Sequence, residues 1–409
     1  MLLLIIQLLV SQVGRGEIRA VYFAADSLGR RLVDFLDGAT ASVDYCFYNS
    51  SRSDVVEALI RAHDRGVRVR VITDNSRMDD EWVARLRNAD IPVWSDAGFP
   101  GETYYMHNKF AVRDLADDDS LNDLLWTGSY NPNQDELNAD FAIEIAHSGI
   151  ARAYLDEFNQ MWGSSGGLPV RDSARFHSRK QDVLTVHRFL IEDCPVYVYF
   201  APQDRVVDSI TAWLRQARQE IFFVIFSFTY QPLGTVMIER RQNGITVLGV
   251  IDKSGANDPA SQYPVLKSSG IPVLIDSVPF GSKVLHEKIV VLDRSKVIAG
   301  SANWSNNANF NNDENVLFIF SSNVAKRFYP ELVARYRESG GSLPPGIREG
   351  DKERPVIRFR RARSRFRSAL GDVIYDSAGR RIAPGGIMTS GLYFQLAPDS
   401  GSFRLVFLH

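Results

Sequence analysis

Two short patterns in this chain place a histidine, a lysine and an aspartate at the same spacing. They read HNKFAVRD from His107 to Asp114 and HEKIVVLD from His286 to Asp293, and a glycine-serine-X-asparagine tetrapeptide follows each. A histidine can attack phosphorus or transfer a proton near neutral pH, and a neighbouring lysine supplies positive charge for an anion. These residue types predict one active site for phosphodiester chemistry, built from two similar halves.

The side chains of these patterns and turns complement a phosphodiester. Residues two apart on a strand point to the same face, so each histidine should lie beside its lysine. Serine hydroxyls and asparagine amides of the turns can donate hydrogen bonds to non-bridging oxygens. One histidine can attack while the other protonates the leaving group, without a metal. The residues predicted for these tasks are His107, Lys109, Ser129, Asn131, His286, Lys288, Ser301 and Asn303.

Each component has a simpler explanation when it is taken alone. A single histidine on a strand is more often a packing residue, a lysine beside a strand is usually solvated, and a GSXN turn is common. The ordered repetition of all three favours a catalytic or formerly catalytic site. The other histidines lack such partners and are interpreted as structural or surface residues: His63, His147, His177, His187 and His409.

The two patterns belong to a duplicated chain, in which equivalent segments recur at a nearly constant offset. The apolar runs SVDYCFYNSS (42–51) and IFFVIFSFTY (221–230) predict buried strands, each preceded by a helical pattern. A helix, a glycine and another strand follow in both copies, and then the near-identical strands IPVWSD and IPVLID. This order predicts an α/β fold of two pseudo-twofold-related repeats, each a mixed sheet flanked by helices.

Composition and repeats divide the 409 residues into segments. We expect an apolar N-terminus at 1–16 that resembles a signal-peptide core, repeats at 17–165 and 186–340, a linker at 166–185 and an antiparallel β module at 341–409. Residues before 341 carry 35 Lys and Arg against 43 Asp and Glu, so any phosphate affinity of the repeats must be local. The two cysteines form neither a disulfide framework nor a zinc site.

The doubled motif resembles the signature of the phospholipase D superfamily. Six residues separate Asp293 from Gly300 as in that signature, whereas thirteen separate Asp114 from Gly128, which predicts a longer hairpin loop in the first repeat. The resemblance implies a phosphohistidine intermediate that water hydrolyses, with no cofactor and no obligate metal. By analogy with two-motif members we take His107 as the nucleophile and His286 as the general acid.

The same resemblance assigns an acid beyond each GSXN turn to holding a histidine in the useful tautomer. Glu314 fits that position in the second repeat, and Asp140 fits it in the first, where glutamate is usual. The two motif aspartates lie at the far ends of their strands, and we expect them to be structural.

The substrate is less well determined than the reaction, because fold and motif do not set it. We rank nucleic acid ahead of phospholipid, since the halves are compact and the segments SYNPNQ and SANWSNNANFNN resemble those of small nuclease-like members. The net acidic repeats and the lack of a basic stripe argue against a nuclease. One alternative is a phospholipase D or phosphatidyltransferase acting on phospholipid headgroups. Another is an exported, non-catalytic protein that binds a phosphate ligand. The oligomeric state stays open.

The C-terminal tail contains the basic run RFRRARSRFR (358–367) and four β-like stretches. The run predicts either contact with an anionic surface or, as we favour, a strand with arginines flanking two phenylalanines. YDSAGRRI and SGLYFQL resemble the C-terminal sorting modules of type IX secretion. Together with the apolar N-terminus, this resemblance predicts export from a bacterium and the secretion machinery as a partner.

Overall fold

The computed structural model describes residues 16–133, 138–276 and 284–343, and four short strands beyond them. The chain divides into two units, Met1–Arg348 and Glu349–His409. Within the described residues, no helix combines the length and apolar character needed to cross a bilayer. The expectations for the apolar N-terminal stretch and for the RFRRARSRFR run fall outside the described residues.

The first repeat forms one mixed sheet of seven strands in the order β1-β8-β6-β5-β2-β3-β4. Strands β2, β3 and β4 run parallel to one another, and the remaining pairs are antiparallel. Its elements are β1 (Glu17–Phe23), α1 (Leu28–Asp37), β2 (Ser42–Phe47), α2 (Ser53–Asp64), β3 (Arg68–Thr73), α3 (Glu81–Asn88), β4 (Val93–Ser95), β5 (Lys109–Arg113), β6 (Leu124–Gly128), β7 (Asn138–Ala139), β8 (Phe141–Ala146) and α4 (Ser148–Trp162).

The second repeat has the same strand order with one strand added at the edge, β13-β12-β11-β15-β16-β17-β10-β9. The predicted fold of two related repeats is therefore confirmed. Its elements are β9 (Arg188–Ile191), β10 (Cys194–Ala201), α5 (Val206–Leu214), β11 (Glu220–Ile225), α6 (Gln231–Gln242), β12 (Thr246–Ile251), α7 (Lys253–Ala256), α8 (Tyr263–Ser268), β13 (Val273–Ile275), β14 (Val284–Leu285), β15 (Lys288–Leu292), β16 (Lys296–Gly300), α9 (Asn306–Phe310), β17 (Glu314–Ile319) and α10 (Ser322–Glu338).

The apolar runs that predicted strands are buried on both faces of the sheets. Every residue of β2 and β11 is buried, as expected for central strands that have helices on each side. Helix α2 ends before Gly66, which has a φ of +88° that a residue with a Cβ rarely adopts. Short glycine-containing connections of this kind return the chain from a helix to the next parallel strand in both repeats.

Helices α4 and α10 lie between the two sheets. Helix α4 contacts β2, β3, β5 and β6 of its own repeat and β10 of the other, and α10 contacts β11, β12, β15 and β16 together with β1. Side chains of both helices and both sheets form one shared apolar core. Separate cores join the outer helices of each repeat to the opposite faces of the sheets. The two halves are therefore held together by a common hydrophobic layer.

The segment predicted as a linker is partly buried between the repeats. Phe176, His177 and Lys180 are 0%, 1% and 6% exposed, so the segment contributes side chains to the interior. The predicted difference in hairpin length is also present. Residues 114–123 connect β5 to β6, whereas only 293–295 connect β15 to β16. The longer loop lies at the end of β5 opposite Lys109, so it leaves the motif end of the strand undisturbed.

The C-terminal unit contains four strands in one antiparallel sheet. They are β18 (Val373–Asp376), β19 (Arg381–Ile382), β20 (Gly391–Leu396) and β21 (Phe403–Leu408), in the order β19-β18-β20-β21. This agrees with the antiparallel β module predicted for the end of the chain. Its resemblance to a secretion module stays a prediction.

Candidate active site

Short backbone pairings join the two repeats beside the motif histidines. Leu285 pairs in parallel with Ala139, and Met106 pairs with Asp313. The chain then continues into the histidines, whose amides cross the same seam. His286 N donates to Ala139 O at 2.9 Å, and His107 N donates to Asp313 O at 2.9 Å. Each histidine is thereby placed next to the residue that precedes the acid of the opposite repeat.

The two histidines are held by carboxylates from the opposite repeats. His107 Nδ1 lies 2.8 Å from Glu314 Oε2, and His286 Nδ1 lies 2.8 Å from Asp140 Oδ1. An ionised carboxylate can only accept, so Nδ1 must carry the hydrogen of the neutral ring. The other ring nitrogen, Nε2, is then left with a lone pair. The shorter Asp140 makes the same contact as Glu314, so both half-sites present a histidine in the tautomer that nucleophilic attack requires.

The serines of the two turns hold the carboxylates. Ser129 Oγ donates to Asp140 Oδ1 at 2.6 Å, and Ser301 Oγ donates to Glu314 Oε2 at 2.7 Å. The sequence predicts these hydroxyls as donors to phosphate. In the structure their hydrogens are directed to the acids, because the sharp turn after each strand brings the serine beside the next strand of the sheet. The two serines therefore position the carboxylates, which in turn position the histidines.

Each motif lysine is buried beside its histidine and bonds back to that histidine's carbonyl. Lys109 Nζ donates to His107 O at 2.7 Å, and Lys288 Nζ donates to His286 O. One bond of this kind leaves two of the three ammonium hydrogens for other acceptors. Side-chain amides of the turns lie nearby in sequence, and the Oδ1 atoms of Asn131 and Asn303 have no hydrogen-bond partner within the described part of the chain. Each lysine thus has hydrogens available to an incoming anion, whereas the two Oδ1 atoms can only accept.

Burial shifts the pKa values of these groups strongly. Desolvation lowers the pKa of His107 to about 4, although Glu314 opposes the shift, and it also lowers the pKa of His286, with Lys288 adding to the effect. Desolvation likewise lowers the pKa of Lys109 to about 8 and that of Lys288 to about 7. In the free site the imidazoles are therefore neutral, and the two lysines hold their protons only weakly near neutral pH.

The acids remain ionised despite their burial. Burial alone would raise the pKa of Glu314 and of Asp140, but the neighbouring histidine and lysine of each site outweigh it and lower both values. For these coupled pairs we infer an ionised carboxylate and a neutral imidazole that donates its Nδ1 hydrogen. The geometry supports this state, because the carboxylate accepts a hydrogen bond and the buried Nδ1 hydrogen has an acceptor.

An aromatic ring lies against each histidine and lysine, and the sequence reasoning missed both rings. Tyr48 is 5.4 Å from His107 between ring centroids, and Phe226 is 5.2 Å from His286. Lys109 Nζ lies 5.6 Å above the Tyr48 ring, and Lys288 Nζ lies 5.1 Å above the Phe226 ring. The repeat itself contained the signal, because the two aromatics follow equivalent strands at equivalent positions of the two halves.

A second pair of missed residues anchors the backbone before each histidine. Asp74 Oδ2 accepts from Met106 N at 2.9 Å, and Asp252 Oδ2 accepts from Leu285 N at 3.0 Å. Both aspartates follow the second parallel strand of their repeat, and they too occupy equivalent positions in the two halves. They fix the approach of the chain to the site from the strand ends.

The motif aspartates are far from the histidines. Asp114 Oδ1 accepts from Thr40 N and Ala41 N at 2.8 Å each, and Asp293 Oδ1 accepts from Gln219 N at 2.7 Å. These amides belong to the turns that lead into β2 and β11. The structure therefore places both aspartates in a scaffolding position, as expected from the sequence.

A chain that folds into two pseudo-symmetric halves and brings two histidine-lysine pairs to their seam has the architecture of a phospholipase D-like protein. The profile of the family described as "Cardiolipin synthase, PLD-like domain" matches residues 32–162 and 210–334. The match covers more than half of the chain, and the chain belongs to this phospholipase D-like family.

Individual relatives resemble one third of the chain. Phospholipase D of Rickettsia typhi is 27% identical over 136 residues, which cover 33% of this chain and 65% of the relative. Mitochondrial cardiolipin hydrolase of Xenopus tropicalis is 33% identical over 141 residues, which cover 34% of this chain and 62% of the relative. The chain thus spans slightly less than two thirds of the length of these relatives.

A solved structure resembles most of the chain. Phosphatidylserine synthase of Haemophilus influenzae Rd KW20 aligns with a TM-score of 0.56 and 15% identity, covering 80% of this chain and 87% of that one. At this identity the likeness establishes the two-repeat fold and does not extend to the substrate.

Proposed function

We propose that the chain is a phosphodiester hydrolase that works through a phosphohistidine intermediate. The observation that carries the proposal is the pair of buried histidines, each fixed through Nδ1 by a carboxylate from the opposite repeat at 2.8 Å. A buried lysine lies beside each of them. The arrangement supplies a nucleophile, a second proton-transfer group and cations for the non-bridging oxygens at one seam.

In the first step His107 Nε2 attacks phosphorus, the P–O bond to the leaving group breaks and a P–N bond forms. His286 Nε2 gives its proton to the departing oxygen. Binding of the anionic diester raises the pKa of His286, because a nearby negative charge favours the protonated ring. Water then attacks phosphorus and passes a proton to His286, the P–N bond breaks and His107 is released. Lys109 and Lys288 hold the non-bridging oxygens throughout.

We favour nucleic acid as the substrate because an exposed aromatic lies beside the proposed nucleophile. Tyr105 is 48% exposed, and its ring lies 5.6 Å from Tyr48 and 6.4 Å from His107 between centroids. Bases of a single strand stack on such rings with about 1–3 kcal/mol each, without sequence preference. This local platform compensates for the net acidic charge of the repeats, which provides no general attraction for a polyanion.

A phospholipid headgroup is the second candidate. It is favoured by the names of the relatives, which are a phospholipase D and a cardiolipin hydrolase. The reaction at phosphorus would be the same, with an alcohol headgroup leaving in place of a nucleotide. Replacement of water by another alcohol in the second step would make the protein a phosphatidyltransferase.

The test is an assay of the full chain with EDTA present, which compares a single-stranded oligonucleotide, plasmid DNA, vesicles of phosphatidylcholine and cardiolipin, and bis(p-nitrophenyl) phosphate. We expect turnover of the oligonucleotide and of the chromogenic diester by the wild type and by His63→Asn, and turnover lowered by about 100-fold or more in His107→Asn. Turnover of the vesicles alone would replace nucleic acid with phospholipid. Ligand binding without turnover of any substrate would favour the non-catalytic alternative.

A further inference from the structure

A cationic cavity lies in the second repeat, away from the histidines. It has a volume of about 450 Å³ and is lined by Arg215, Gln216, Ala217, Arg218, Arg240 and Lys296. This volume is within the range of about 300–1,000 Å³ that is common for small-molecule sites. Four of the six lining residues are cations, so a ligand here would be recognised by its negative charge.

The cavity is separated from the histidines by the length of the sheet. Arg218 precedes the start of β11, and Lys296 begins β16, whereas Ile225 at the other end of β11 pairs with Lys288. Strands rise by about 3.3 Å per residue, which places the two regions roughly 16–20 Å apart. A small anion in the cavity would therefore not contact the reacting phosphorus.

The cations of the cavity have no carboxylate partner in the part of the chain that the structure describes. Arg240 donates to Arg215 O at 3.1 Å, and its Nε is inaccessible to solvent and without a hydrogen-bond acceptor. Two acids lie close to these cations in the sequence. Glu239 is exposed on α6, and the Asp293 carboxylate accepts from the amides of Arg218 and Gln219. Four cationic residues therefore line one space, and none of the four forms an ion pair within the described residues.

The first repeat shows that the fold does not require these cations. The capping bonds of Asp114 and Asp293 and the shared glycines align the two repeats residue by residue. None of the equivalent residues of the first repeat is a cation. The positions of Arg215, Arg218, Arg240 and Lys296 are occupied there by Asp37, Thr40, Ala62 and Leu124, in that order.

The first repeat also lacks the open space. Arg113 Nη1 donates to Phe35 O at 2.8 Å, and the guanidinium lies against Gly38, which occupies the position of Gln216. Leu292 stands where Arg113 would be, so the second repeat has no guanidinium at this position. Asp37 meanwhile forms an ion pair with Arg61 at 2.8 Å. The four cations around the cavity are therefore a feature of the second repeat, whereas Arg113 fills the corresponding position of the first.

We propose that this cavity binds an oligophosphate group, either as a free pyrophosphate or tripolyphosphate or as the phosphate tail of a nucleotide. Guanidinium groups bind phosphate oxygens through pairs of parallel hydrogen bonds, and three arginines with one lysine match the charge of two or three linked phosphates. A monoanion would leave most of the cationic charge uncompensated. The site is independent of the phosphodiester chemistry at the seam.

The test is calorimetric titration of the full chain with pyrophosphate, tripolyphosphate, ATP, inorganic phosphate and a single-stranded oligonucleotide at low ionic strength. We expect saturable binding of pyrophosphate and tripolyphosphate and much weaker binding of phosphate. Arg215→Asp, which restores the residue type of the first repeat, should weaken binding at least tenfold. Its melting temperature without ligand should equal or exceed that of the wild type, which would show that the variant folds. Arg241→Asp, next to Arg240 on α6 but outside the cavity lining, is the charge-matched control and should bind like the wild type.

The ATP arm distinguishes the two sources, since binding of ATP as tight as that of tripolyphosphate shows that the cavity admits a nucleotide. His107→Asn must bind oligophosphate unchanged, which separates this site from the proposed catalytic one. The proposal would be overturned by the absence of saturable oligophosphate binding, by unchanged binding in Arg215→Asp, or by lost binding in His107→Asn. Binding of an oligonucleotide alone, sensitive to Arg215→Asp, would also overturn it in favour of a nucleic-acid contact.

Discussion

The two half-sites hold their histidines at the same distance, yet they support the holding acids differently. Glu314 follows Asp313, whose buried carboxylate lies 3.0 Å from Lys180 Nζ and accepts from His177 N at 2.9 Å. Asp140 follows Ala139, which has no side chain for such contacts. The residue before the acid is therefore a buried charge in the half-site of His107 and an apolar residue in the half-site of His286.

The length of the acid explains the difference. A glutamate has one more rotatable bond than an aspartate, so a defined carboxylate position requires more contacts. Glu314 receives Ser301 Oγ and, at 3.2 Å, Asn312 Nδ2 in addition to His107. Asp140 reaches His286 with fewer degrees of freedom to restrict. The two half-sites thus reach the same histidine–carboxylate distance in two ways. One has a short acid after an apolar residue, and the other has a longer acid after a buried, charged residue.

The largest expected effect is the loss of kcat on replacement of either histidine, and the accumulated intermediate shows in which reaction step each histidine acts. His107→Asn and His286→Asn should each lower kcat by about 100-fold to 10,000-fold with an unactivated diester, because a nucleophile or a proton-transfer group is lost. With bis(p-nitrophenyl) phosphate, whose leaving group needs no proton, His286→Asn should accumulate a phosphohistidine that mass spectrometry locates at residue 107. Phosphate found on His286 in the His107→Asn variant would reverse the assignment.

The next effect tests whether the two acids have equal roles. Glu314→Gln should lower kcat by at least about 100-fold, because the amide can donate to Nδ1 and so shift the ring hydrogen to Nε2 of the nucleophile. Asp140→Asn should impair proton transfer by His286, so with bis(p-nitrophenyl) phosphate the first step should be largely restored and the phosphohistidine should accumulate, as in His286→Asn. Equal losses with both substrates in both variants would contradict the division of labour.

The fold and the main site residues could be predicted from sequence because duplication repeats the signal. The motif, turns and buried strands each occur twice at nearly constant offset, so chance matches were excluded by comparison of the two halves. The same comparison could have found Tyr48 with Phe226 and Asp74 with Asp252, which also recur at equivalent positions. They were missed because aromatics and aspartates after strands have many ordinary explanations.

The direction of the serines and the role of the predicted linker could not be predicted in this way. The donation of Ser129 and Ser301 to the acids depends on the register between neighbouring strands, which is a tertiary property. The segment around Lys180 contains polar and small residues typical of a linker, and only the packed structure shows that its charge is neutralised by Glu157 and Asp313. Features that occur once in a repeat protein lack the internal control that the duplicated ones have.

A moderate effect should follow from removal of Lys180, whose ammonium group pairs with Asp313 directly before Glu314. Lys180→Met leaves the buried carboxylates of Glu157 and Asp313 without their cation, and breaking such a pair costs about 3–5 kcal/mol of unfolding free energy. Because Asp313 leads into Glu314, kcat should also fall while KM stays close to that of the wild type. Urea denaturation and steady-state kinetics measure the two effects. Lys326→Met, an exposed lysine on α10, is the control, and an unchanged kcat in a destabilised Lys180→Met would show that the role of Lys180 is structural only.

The smallest effect concerns the pH dependence of anion binding. Burial lowers the pKa of Lys288 to about 7 and that of Lys109 to about 8, so each cation is lost as the pH rises through its value. Affinity for dimethyl phosphate, which stays a monoanion across this range, should therefore fall in two stages between pH 6 and 9, as measured by NMR titration. Lys288→Met should retain only the fall near pH 8, and Lys109→Met should retain only the fall of Lys288, moved to higher pH because the Lys109 charge that lowers the pKa of Lys288 is gone. A single fall in the wild type in place of two stages would mean that the two lysines titrate as one unit, and the difference between their pKa values would then have no consequence for binding.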